Sequence, residues 1–488
     1  MSETPITTSG VRIGGGPAEP RSPLLLEVVE PATGSTMSTV AAGGVEDALW
    51  AAESASDALG SWSDQSLSHR ATALRTIAEA LDEAAEGHLP EVVSRETGKL
   101  LDEARAEVRF SARYFEWFAD VIGTSHSQTW EVVPGVRHLV RWRAVGVVAV
   151  LTPWNFPVSI PARKIAPALA AGCTVVFRPS RYTPSSSIGL VEIIERLLPQ
   201  GVVNTVCGEA RAITDAWLDE PSVRGLSFTG STEVGRVLAT EAGRRLKMAT
   251  LELGGRAPFV VTASADVDQS VRALMVAKFR NNGESCIAAN NVWVHRSLWD
   301  AFVETFIDQV EQIRLGDPLT DGVDLGPLRK PGDVSRLSRW VEEAEERGAE
   351  IVVGGETAPR EGFFLRPVTC LLPDPDTRLW SEEVFGPVTP LRPFETFSEV
   401  VEGTNRSNYG LAGYLMAEDV DEALDMAARL EIGLIGVNVP TPNTPQVPFG
   451  GWKDSGFGGY EGGWAGLEPF IEYQSLAVAP MSGVSGDA

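Results

Sequence analysis

The chain has 488 residues, of which 43% are hydrophobic and 22% are charged. This composition is typical of a globular protein, and at ~150 residues per domain the length predicts two to four domains. Acidic residues outnumber basic residues by 66 to 41, which gives a net charge of −25. That charge argues against nucleic acid as a partner. A membrane partner is not expected either, because no apolar run approaches the ~20 residues that a membrane span requires.

The four cysteines lie far apart, and none belongs to a CxxC pair: Cys173, Cys207, Cys286 and Cys370. The sequence therefore predicts neither a disulfide framework nor a metal site, and a reducing cytoplasm is the compartment we expect. Residues 1–23 are rich in Gly, Pro, Ser and Thr and lack the basic start and apolar run of a secretion signal. We interpret them as a disordered tail, as we do the polar residues 481–488.

The first predicted elements are a hairpin and two helices. Residues 24–29 and 36–40 have the pattern of two strands, joined by a turn in which Gly34 supplies a positive φ. Apolar residues at helical spacing then predict helices across 67–81 and 101–121. Both apolar stripes are interpreted as core faces.

Residues 129–143 have the pattern of two strands joined at Pro134-Gly135. A two-stranded ribbon is marginally stable alone, so it needs another surface to lie on. A subunit interface is one such surface.

Strands and helices then alternate, which predicts a parallel doubly wound sheet with ligands at the carboxyl ends of its strands. The alternation restarts after Gly255 and indicates a second α/β domain. A segment rich in Gly and Pro, 440–463, leads to a short apolar strand at 470–478. The other predicted strands are 145–151, 173–177, 202–206, 225–228, 258–261 and 292–295, and helices are predicted at 163–171, 184–198, after Gly230, 266–280 and 299–313.

Three loops beside apolar segments hold candidate reactive groups. Cys286 ends the stretch RNNGESC, and it can form an adduct with an electrophilic carbonyl if it is exposed and its pKa is lowered. Asn155, in TPWNFP, can donate a hydrogen bond to the resulting oxyanion, and Glu252, in ELGG, can activate water. Taken singly, the alternatives are an inert buried cysteine, a loop-capping asparagine and a surface carboxylate.

The stretch FTGSTEVG, residues 228–235, is a predicted strand that enters a helix through a glycine turn. Free N–H groups at such a helix start can bind a pyrophosphate. The stretch is not a GxGxxG motif, and Gly-Ser-Thr before a helix is also an ordinary N-cap.

Together these segments resemble the aldehyde dehydrogenase superfamily across residues 24–478. The shared motifs, in chain order, are TPWNFP, AGCTVVFRPS, FTGSTEVG, ELGG, the cysteine loop, EEVFGP and PFGGWKDSG. The resemblance implies that Cys286 is the nucleophile, Glu252 the general base and Asn155 the side-chain donor to the oxyanion. It also implies cofactor contacts from Thr152, Pro153, Trp154, Arg178, Ser180, Arg181, Gly230, Ser231, Gly235, Leu253, Glu383 and Phe385.

The fold implied is α/β, with a Rossmann-type doubly wound cofactor domain, an α/β catalytic domain and a small β oligomerisation element. We expect the cofactor domain at 24–128 and 144–253, the catalytic domain at 254–452 and the oligomerisation element at 129–143 and 465–480. A homodimer or homotetramer is expected. Family members that pass the acyl group to coenzyme A generally lack the glutamate of ELGG, so Glu252 favours hydrolysis to the acid, and coenzyme A acylation is the alternative.

Two arginines suggest the substrate. Arg163 lies eight residues after Asn155 and Arg280 six before Cys286, spacings that match the succinate-semialdehyde dehydrogenase branch. In that branch the arginines bind the substrate carboxylate, often with a hydroxyl for which Thr444 is the nearest equivalent here. Guanidinium groups near a nucleophile can hold an anion bidentately. The alternative is that they pair with surface carboxylates, which leaves uncharged aldehydes open. The identity of the anionic group is also open, so sulfonated aldehydes stay possible.

The chain departs from that branch at two places. It reads Glu284-Ser285-Cys286 where the branch usually has Gln-Thr-Cys with a second cysteine nearby, so no disulfide can form within this loop. The loop at 440–447 is rich in proline and matches poorly, which leaves the substrate length open. At Arg181, many NAD-preferring members carry a glutamate. With Arg178, the arginine favours NADP, and NAD stays possible.

Overall fold

The computed structural model describes residues 7–21, 24–124, 128–355 and 361–479. The α-helices in these residues are α1 Val45–Ser63, α2 Leu67–Ala84, α3 Leu89–Thr97, α4 Leu101–Val121, α5 Ser159–Ala171, α6 Pro184–Glu195, α7 Ala210–Asp219, α8 Thr232–Arg244, α9 Val267–Phe279, α10 Trp299–Glu311, α11 Pro331–Glu346, α12 Arg378–Ser381, α13 Phe397–Asn405 and α14 Val420–Ala427.

The strands are β1 Thr7–Ser9, β2 Val11–Arg12, β3 Leu24–Val29, β4 Thr36–Ala42, β5 Gln128–Val133, β6 Val136–Ala144, β7 Val147–Leu151, β8 Thr174–Arg178, β9 Val203–Val206, β10 Val223–Thr229, β11 Met248–Glu252, β12 Ala257–Val261, β13 Ala289–His295, β14 Glu350–Val353, β15 Val368–Leu371, β16 Val388–Phe394, β17 Tyr409–Gly410, β18 Ala412–Met416, β19 Leu434–Val437, β20 Trp452–Lys453, β21 Gly456–Phe457 and β22 Ile471–Val478.

The predicted hairpin and both predicted helices are present. Strands β3 and β4 pair antiparallel, and Gly34 has a φ of 72° in the turn between them. Helices α2 and α4 pack together through their apolar stripes, with Leu74 and Phe115 fully buried. These predictions are confirmed because the apolar spacing alone determines which face of each helix is buried.

The first large sheet has the strand order β2-β9-β8-β7-β10-β11-β21. Its five central strands are parallel, as predicted. Chain order runs outward from β7 to β8 and β9 on one side and from β10 to β11 on the other. The order therefore reverses between β7 and β10, and ligands of doubly wound sheets bind at the carboxyl ends of the strands at such a point.

The interpretation of the N-terminus as a disordered tail is wrong for residues 7–21. Strand β1 pairs with β4, and β2 covers the edge strand β9. Val11 is fully buried, and Arg12 donates from Nε to Glu195 Oε1 at 3.2 Å. An apolar residue and an ion pair therefore hold a stretch whose composition suggested a mobile tail. Residues 1–6 and 22–23 and the predicted tail at 481–488 lie outside the described residues.

The second large sheet has the order β14-β15-β16-β13-β12-β18-β19 and is parallel except for β14, so the prediction of a second α/β unit is confirmed. Strand β11 ends at Glu252 and β12 begins at Ala257. This short connection brings the carboxyl end of β11 close to the amino end of β12. The ends of the two sheets meet there.

The predicted ribbon, β5 and β6, turns at Gly135 with a φ of 81° and gains a third strand, β22, which pairs antiparallel with β6. The segment at 440–463 also contributes β21, which pairs with β11 at the edge of the first sheet. None of the helices in the described ranges is long and apolar enough to cross a membrane.

Lys278 gives a test of the second domain. It lies near the end of α9, is 1% exposed and forms no hydrogen bond or ion pair with any described residue. Burial lowers the pKa of Lys278 to about 7, although the Cys370 thiol opposes the shift. Lysine in an unfolded chain titrates near pH ~10.4, so between about pH 7 and 10 the unfolded state binds more protons and stability rises with pH.

We therefore expect Lys278→Met to raise the melting temperature more at about pH 6.5 than at about pH 9.5, because methionine avoids burying a charge at the lower pH. Since ~1 kcal/mol moves Tm by about 2–4 °C in domains of this size, the difference should be measurable by differential scanning calorimetry. Arg272→Met, at an exposed position of the same helix, is the charge-matched control. An equal shift of the melting temperature at both pH values would contradict a lowered pKa of Lys278.

Candidate active site

The loop before Cys286 is held in an unusual backbone conformation. Asn281, Asn282 and Gly283 have successive φ values of 55°, 57° and 75°, a left-handed region that asparagine and glycine tolerate best. A Cβ on Gly283 would lie 2.4 Å from the carbonyl oxygen of Gly386. The Asn-Asn-Gly sequence is thus required by the shape of the loop. The 3₁₀ turn Arg280–Gly283 places Cys286 just before β13.

Side chains anchor this loop on both sides. Asn282 donates from Nδ2 to the carbonyl oxygens of Gly98 and Pro327, both at 2.9 Å. On the far side of the cysteine, Tyr414 donates from its hydroxyl to the carbonyl of Ile287 at 2.6 Å. The nucleophile candidate therefore sits in a rigid loop.

Cys286 lines a cavity of about 310 Å³. Polar, charged and aromatic side chains form most of its wall: Lys99, Glu103, Glu107, Phe110, Tyr114, Phe156, Ser159, Arg163, Arg280, Asn281, Ser285, Thr441, Asn443 and Phe449. Burial raises the pKa of the Cys286 thiol to about 12, and Arg163 is the cation that opposes the shift. The thiol is therefore protonated at neutral pH until a base takes its proton.

Glu252 is a buried carboxylate near the thiol. It ends β11, is 1% exposed, and both carboxylate oxygens lack a hydrogen-bond partner among the described residues. Burial and the neighbouring Glu461 carboxylate raise the pKa of Glu252 well above its usual value. An unpartnered carboxylate with a raised pKa can both accept and release a proton near neutral pH.

Glu461 belongs to a buried charge cluster, which we define as Arg163, Lys164, Glu252 and Glu461. Arg163 Nε and Lys164 Nζ contact the two oxygens of Glu461, although the arginine contact is poorly aligned for a hydrogen bond. Lys164 also donates to Ser227 Oγ at 3.1 Å. Glu461 was not predicted from the sequence. The one signal in the sequence was a lone carboxylate between two pairs of glycines.

Asn155 is fixed beside the cysteine loop. Its Nδ2 donates to the carbonyl of Glu284 at 3.1 Å, and Lys99 Nζ donates to its backbone carbonyl at 2.8 Å. Lys99 in turn pairs with Glu107 at 2.5 Å. An amide nitrogen carries two hydrogens, so the second N–H of Asn155 is free for a further acceptor.

The two candidate substrate arginines differ in their partners. Both line the cavity, but Arg163 contacts Glu461 and lies 4.1 Å from the ring centre of Phe449. The Arg280 guanidinium lies 5.7 Å from the ring centre of Phe156 and forms no hydrogen bond or ion pair within the described part of the chain. Only Arg280 is therefore an uncompensated cation in the cavity wall.

Thr444, the expected hydroxyl contact to the substrate, lies outside the Cys286 cavity. Its side chain is exposed, its hydroxyl contacts Gln446 Oε1, and it does not line the cavity. Thr441 and Asn443 lie there instead, and Asn443 Oδ1 is buried without a partner. Prolines around these residues restrict φ and change the course of the loop. Thr444 was predicted from its nearness to PFGG in the sequence, and nearness in sequence does not show which side chains of the loop reach the cavity.

The expected pyrophosphate residues lie at the switch point of the first sheet. Thr152 and Pro153 follow β7, and Gly230 follows β10. Ser231 caps α8 by accepting from Val234 N at 3.4 Å. Gly235 allows close packing of this helix, since a Cβ there would lie 2.3 Å from Leu253. The free N–H groups at the start of α8 suit a phosphate.

Residues from the second domain complete this surface. The Trp154 and Phe385 rings meet edge to face with centroids 5.7 Å apart. Glu383 Oε1 accepts from Gly255 N at 3.2 Å, and burial raises the pKa of Glu383 to about 7. The three side chains converge from both sides of the junction between the sheets.

Polar groups without partners lie at the end of β8, next to β7. Thr152 Oγ1 and Arg178 Nε are buried and have no hydrogen-bond partner among the described residues. Ser180 is buried and accepts from Tyr182 N at 3.3 Å, and Arg181 is exposed and makes no ion pair with the described residues. Unpartnered donors beside a helix start fit a nicotinamide dinucleotide, whose ribose and phosphate oxygens need them.

Comparison with known proteins decides the family. Residues 19–476 match the aldehyde dehydrogenase family. The chain belongs to this family. It is accordingly an NAD(P)-dependent oxidoreductase that acts on aldehydes, and both the resemblance and the fold class predicted from the sequence are confirmed.

Several relatives act on semialdehydes. The chain is 36% identical to succinate-semialdehyde dehydrogenase [NADP(+)] GabD of Escherichia coli (strain K12), over 93% of this chain and 94% of that protein. It is 37% identical to a glutarate-semialdehyde dehydrogenase of Pseudomonas putida, with the same coverage. The crystal structure of succinate-semialdehyde dehydrogenase from Burkholderia pseudomallei superposes with a TM-score of 0.94 at 35% identity, covering 97% of this chain and 98% of that one.

Arg163 and Arg280 should affect the reactivity of the Cys286 thiol differently. Because the charge of Arg163 lowers the pKa of Cys286, Arg163→Met should slow alkylation by iodoacetamide several-fold at about pH 8. Arg163→Lys should keep most of the reactivity, and Arg280→Met should leave it unchanged. Mass spectrometry of the labelled protein measures the rate, with Cys286→Ala as the unlabelled control. Equal rates in wild type and Arg163→Met would contradict the electrostatic role.

Proposed function

We propose that this enzyme oxidises an ω-carboxylated semialdehyde, of the size of succinate or glutarate semialdehyde, to the dicarboxylic acid. The observation that carries the proposal is Arg280. A half-buried guanidinium without a carboxylate partner, in the same cavity as Cys286, suits an anionic group on the substrate. Burial raises the pKa of Glu103 against the opposing Asn281 N–H and the charges of Lys99 and Arg280, and its oxygens accept from Asn281 N and Leu100 N instead of pairing with Arg280.

The cavity has a second feature that supports this substrate class. The Asn443 amide has no partner among the described residues, so its N–H₂ group can turn toward a carboxylate held by Arg280. A volume of about 310 Å³ accommodates chains of four or five carbons with bound water. The semialdehyde relatives named above agree with this range.

In the proposed reaction, the Cys286 sulfur forms a bond to the aldehyde carbon, and the thiol proton passes to solvent water in the cavity. Asn155 donates its free N–H to the oxygen that gains negative charge. The nicotinamide cofactor, when bound, accepts the hydride that leaves the carbon. Glu252 then takes a proton from water, which attacks the thioester carbon, and the C–S bond breaks to release the acid and the thiolate.

We propose that the first large sheet with α8 holds the cofactor, with Glu383 and Phe385 at the nicotinamide ribose and ring. Arg178 and Arg181 support a preference for NADP, because the ribose 2′-phosphate is expected beside them. Burial lowers the pKa of Arg178, Cys207 and Glu209 oppose that shift, and the charge of Arg181 adds to it. A dianionic phosphate would relieve this repulsion. A preference for NADP also agrees with the E. coli relative.

We further propose that the chain self-associates through the sheet of β5, β6 and β22. Trp130, Val132, Val133 and Tyr473 on this sheet are exposed. Contiguous exposed apolar side chains on a thin sheet suit a subunit contact.

Glu252→Gln should separate the two halves of the reaction. Cys286→Ala should abolish oxidation with cofactor binding intact, whereas Glu252→Gln should release a burst of reduced cofactor and then turn over slowly, because deacylation lacks its base. Stopped-flow absorbance measures both phases. Substantial turnover by the cysteine variant would exclude the thioester route, and a product that requires coenzyme A would indicate acylation instead.

Arg280→Met should raise KM for succinate semialdehyde and hardly change KM for butanal, which has the same number of carbons and no carboxylate. Losing a charge-assisted contact costs about 1.5–3 kcal/mol, or roughly ten- to hundredfold in KM. Arg272→Met, an exposed position, is the matched control. Equal losses for both aldehydes would assign Arg280 a structural role.

The cofactor proposal predicts that wild-type enzyme has a higher kcat/KM with NADP than with NAD and that Arg181→Glu reverses the ratio. The new carboxylate would repel the 2′-phosphate and accept hydrogen bonds from ribose hydroxyls. Steady-state kinetics with both cofactors measures the ratio, and Arg272→Glu is the control with the same change in net charge. A wild type that favours NAD tenfold, or an unchanged ratio in the variant, would overturn the proposal.

A further inference from the structure

A second cavity lies in the catalytic half of the chain and shares no wall residue with the Cys286 cavity. It measures about 410 Å³ and is bounded by α12, α13 and the strands β13 and β16. Three arginines line it: Arg256, Arg392 and Arg406. We call it the arginine cleft. Two carboxylates, Glu399 and Glu402, line it as well, so three arginines against two glutamates leave the lining with a net charge of about +1 in a chain whose net charge is −25.

The wall of the arginine cleft is built from two buried tryptophans. The Trp293 and Trp380 rings meet edge to face with centroids 4.9 Å apart. The Arg392 guanidinium carbon lies 5.8 Å from the Trp293 ring centre and 5.4 Å from that of Trp380. This packing holds the planar guanidinium in place, so its N–H groups are pre-positioned.

Buried donors in the arginine cleft lack acceptors. Arg256 Nε, Arg392 Nε and Thr404 Oγ1 are all buried with no hydrogen-bond partner among the described residues. Arg256 and Thr404 also line a narrow recess at the floor of the cleft. Buried polar groups in native proteins are nearly always hydrogen-bonded, so three unpartnered donors beside one cleft mark a region whose hydrogen bonding is incomplete among the described residues.

The nearby carboxylates do not supply an acceptor to these donors. Glu402 pairs with Arg406 at the rim, at 3.4 Å, and Glu399 accepts from Thr396 Oγ1 at 3.1 Å and from the Glu395 amide at 3.3 Å. Arg256 and Arg392 form no ion pair within the described residues. Burial also lowers the pKa of both guanidinium groups, because a charge is unfavourable in a buried environment. A bound anion would offset that unfavourable free energy.

We propose that the arginine cleft binds a small oxyanion, a carboxylate or a phosphate, between Arg256 and Arg392. Both anions present oxygen pairs that match the planar N–H fork of arginine. Glu382 lies close enough to Arg256, and Asp374 and Glu399 to Arg392, to oppose the lowered pKa of each guanidinium. None of them forms an ion pair with either arginine among the described residues, so a bound anion would be the first direct charged partner of both cations. The hydroxyl of Ser407, to which Arg256 Nη1 donates at 3.4 Å, can contribute a further donor.

The test is isothermal titration of the full-length protein with inorganic phosphate and, separately, with acetate in an amine buffer. The double variant Arg256→Gln with Arg392→Gln should weaken binding of the preferred anion at least tenfold. Arg272→Gln controls for the change in charge, and Arg181→Gln and Arg280→Gln remove the two other arginine sites. All three controls should retain the binding.

Circular dichroism and thermal unfolding establish that each variant is folded. If the double variant is unstable, the single variants Arg392→Gln and Arg392→Lys take its place, with the lysine variant expected to bind better than the glutamine variant. No binding of either anion to wild type at about 20 mM would overturn the proposal. Binding that survives in the cleft variants and is lost in Arg181→Gln or Arg280→Gln would also overturn it, because the anion would then occupy the cofactor or substrate site.

Discussion

Two cations and two carboxylates buried beside Cys286 are the constraint on which the site depends. Each charge of Arg163, Lys164, Glu252 and Glu461 would be costly to bury alone, and Arg163 and Lys164 offset the charge of Glu461. Both cations contact Glu461, which leaves Glu252 near but without a direct partner among the described residues, and burial and the repulsion from Glu461 raise the pKa of Glu252. The same arrangement places the Arg163 charge where it opposes the raised pKa of the thiol. Helix α5, strand β11 and the glycine-rich segment before β22 must all be folded before this site exists.

Arg163 and Arg280 have different roles because their surroundings differ, although the residue type is the same. Arg163 is compensated by a buried carboxylate and acts on the charges inside the site, whereas Arg280 lacks a partner and can receive an anion. The same reasoning applied to Arg256 and Arg392 leads to the arginine cleft. A half-buried guanidinium without a carboxylate partner among the described residues can take up an anion, and this is the observation that connects the proposed substrate with the proposed second ligand.

Local patterns in the sequence predicted much of this molecule. Helical and strand periodicity gave both α/β units, and the motifs around Cys286, Glu252 and Asn155 predicted groups that the fold does bring to one junction. Pairings between distant segments could not be predicted: Glu461 and Arg163 meet only in three dimensions, and Val11 becomes core only because β9 has an open edge. Thr444 was chosen by its distance in sequence from PFGG, whereas its exposed side chain contacts Gln446. The raised pKa of Cys286 depends on burial, which a motif does not report.

The central claim is that the enzyme selects an aldehyde by its distal carboxylate. The most direct measurement is kcat/KM of the wild-type protein for succinate and glutarate semialdehydes against butanal and pentanal, the uncharged aldehydes of the same lengths. A charge-assisted contact from Arg280 predicts a preference of roughly ten- to hundredfold for the carboxylated member of each pair at equal chain length. Equal values within both pairs would contradict the account.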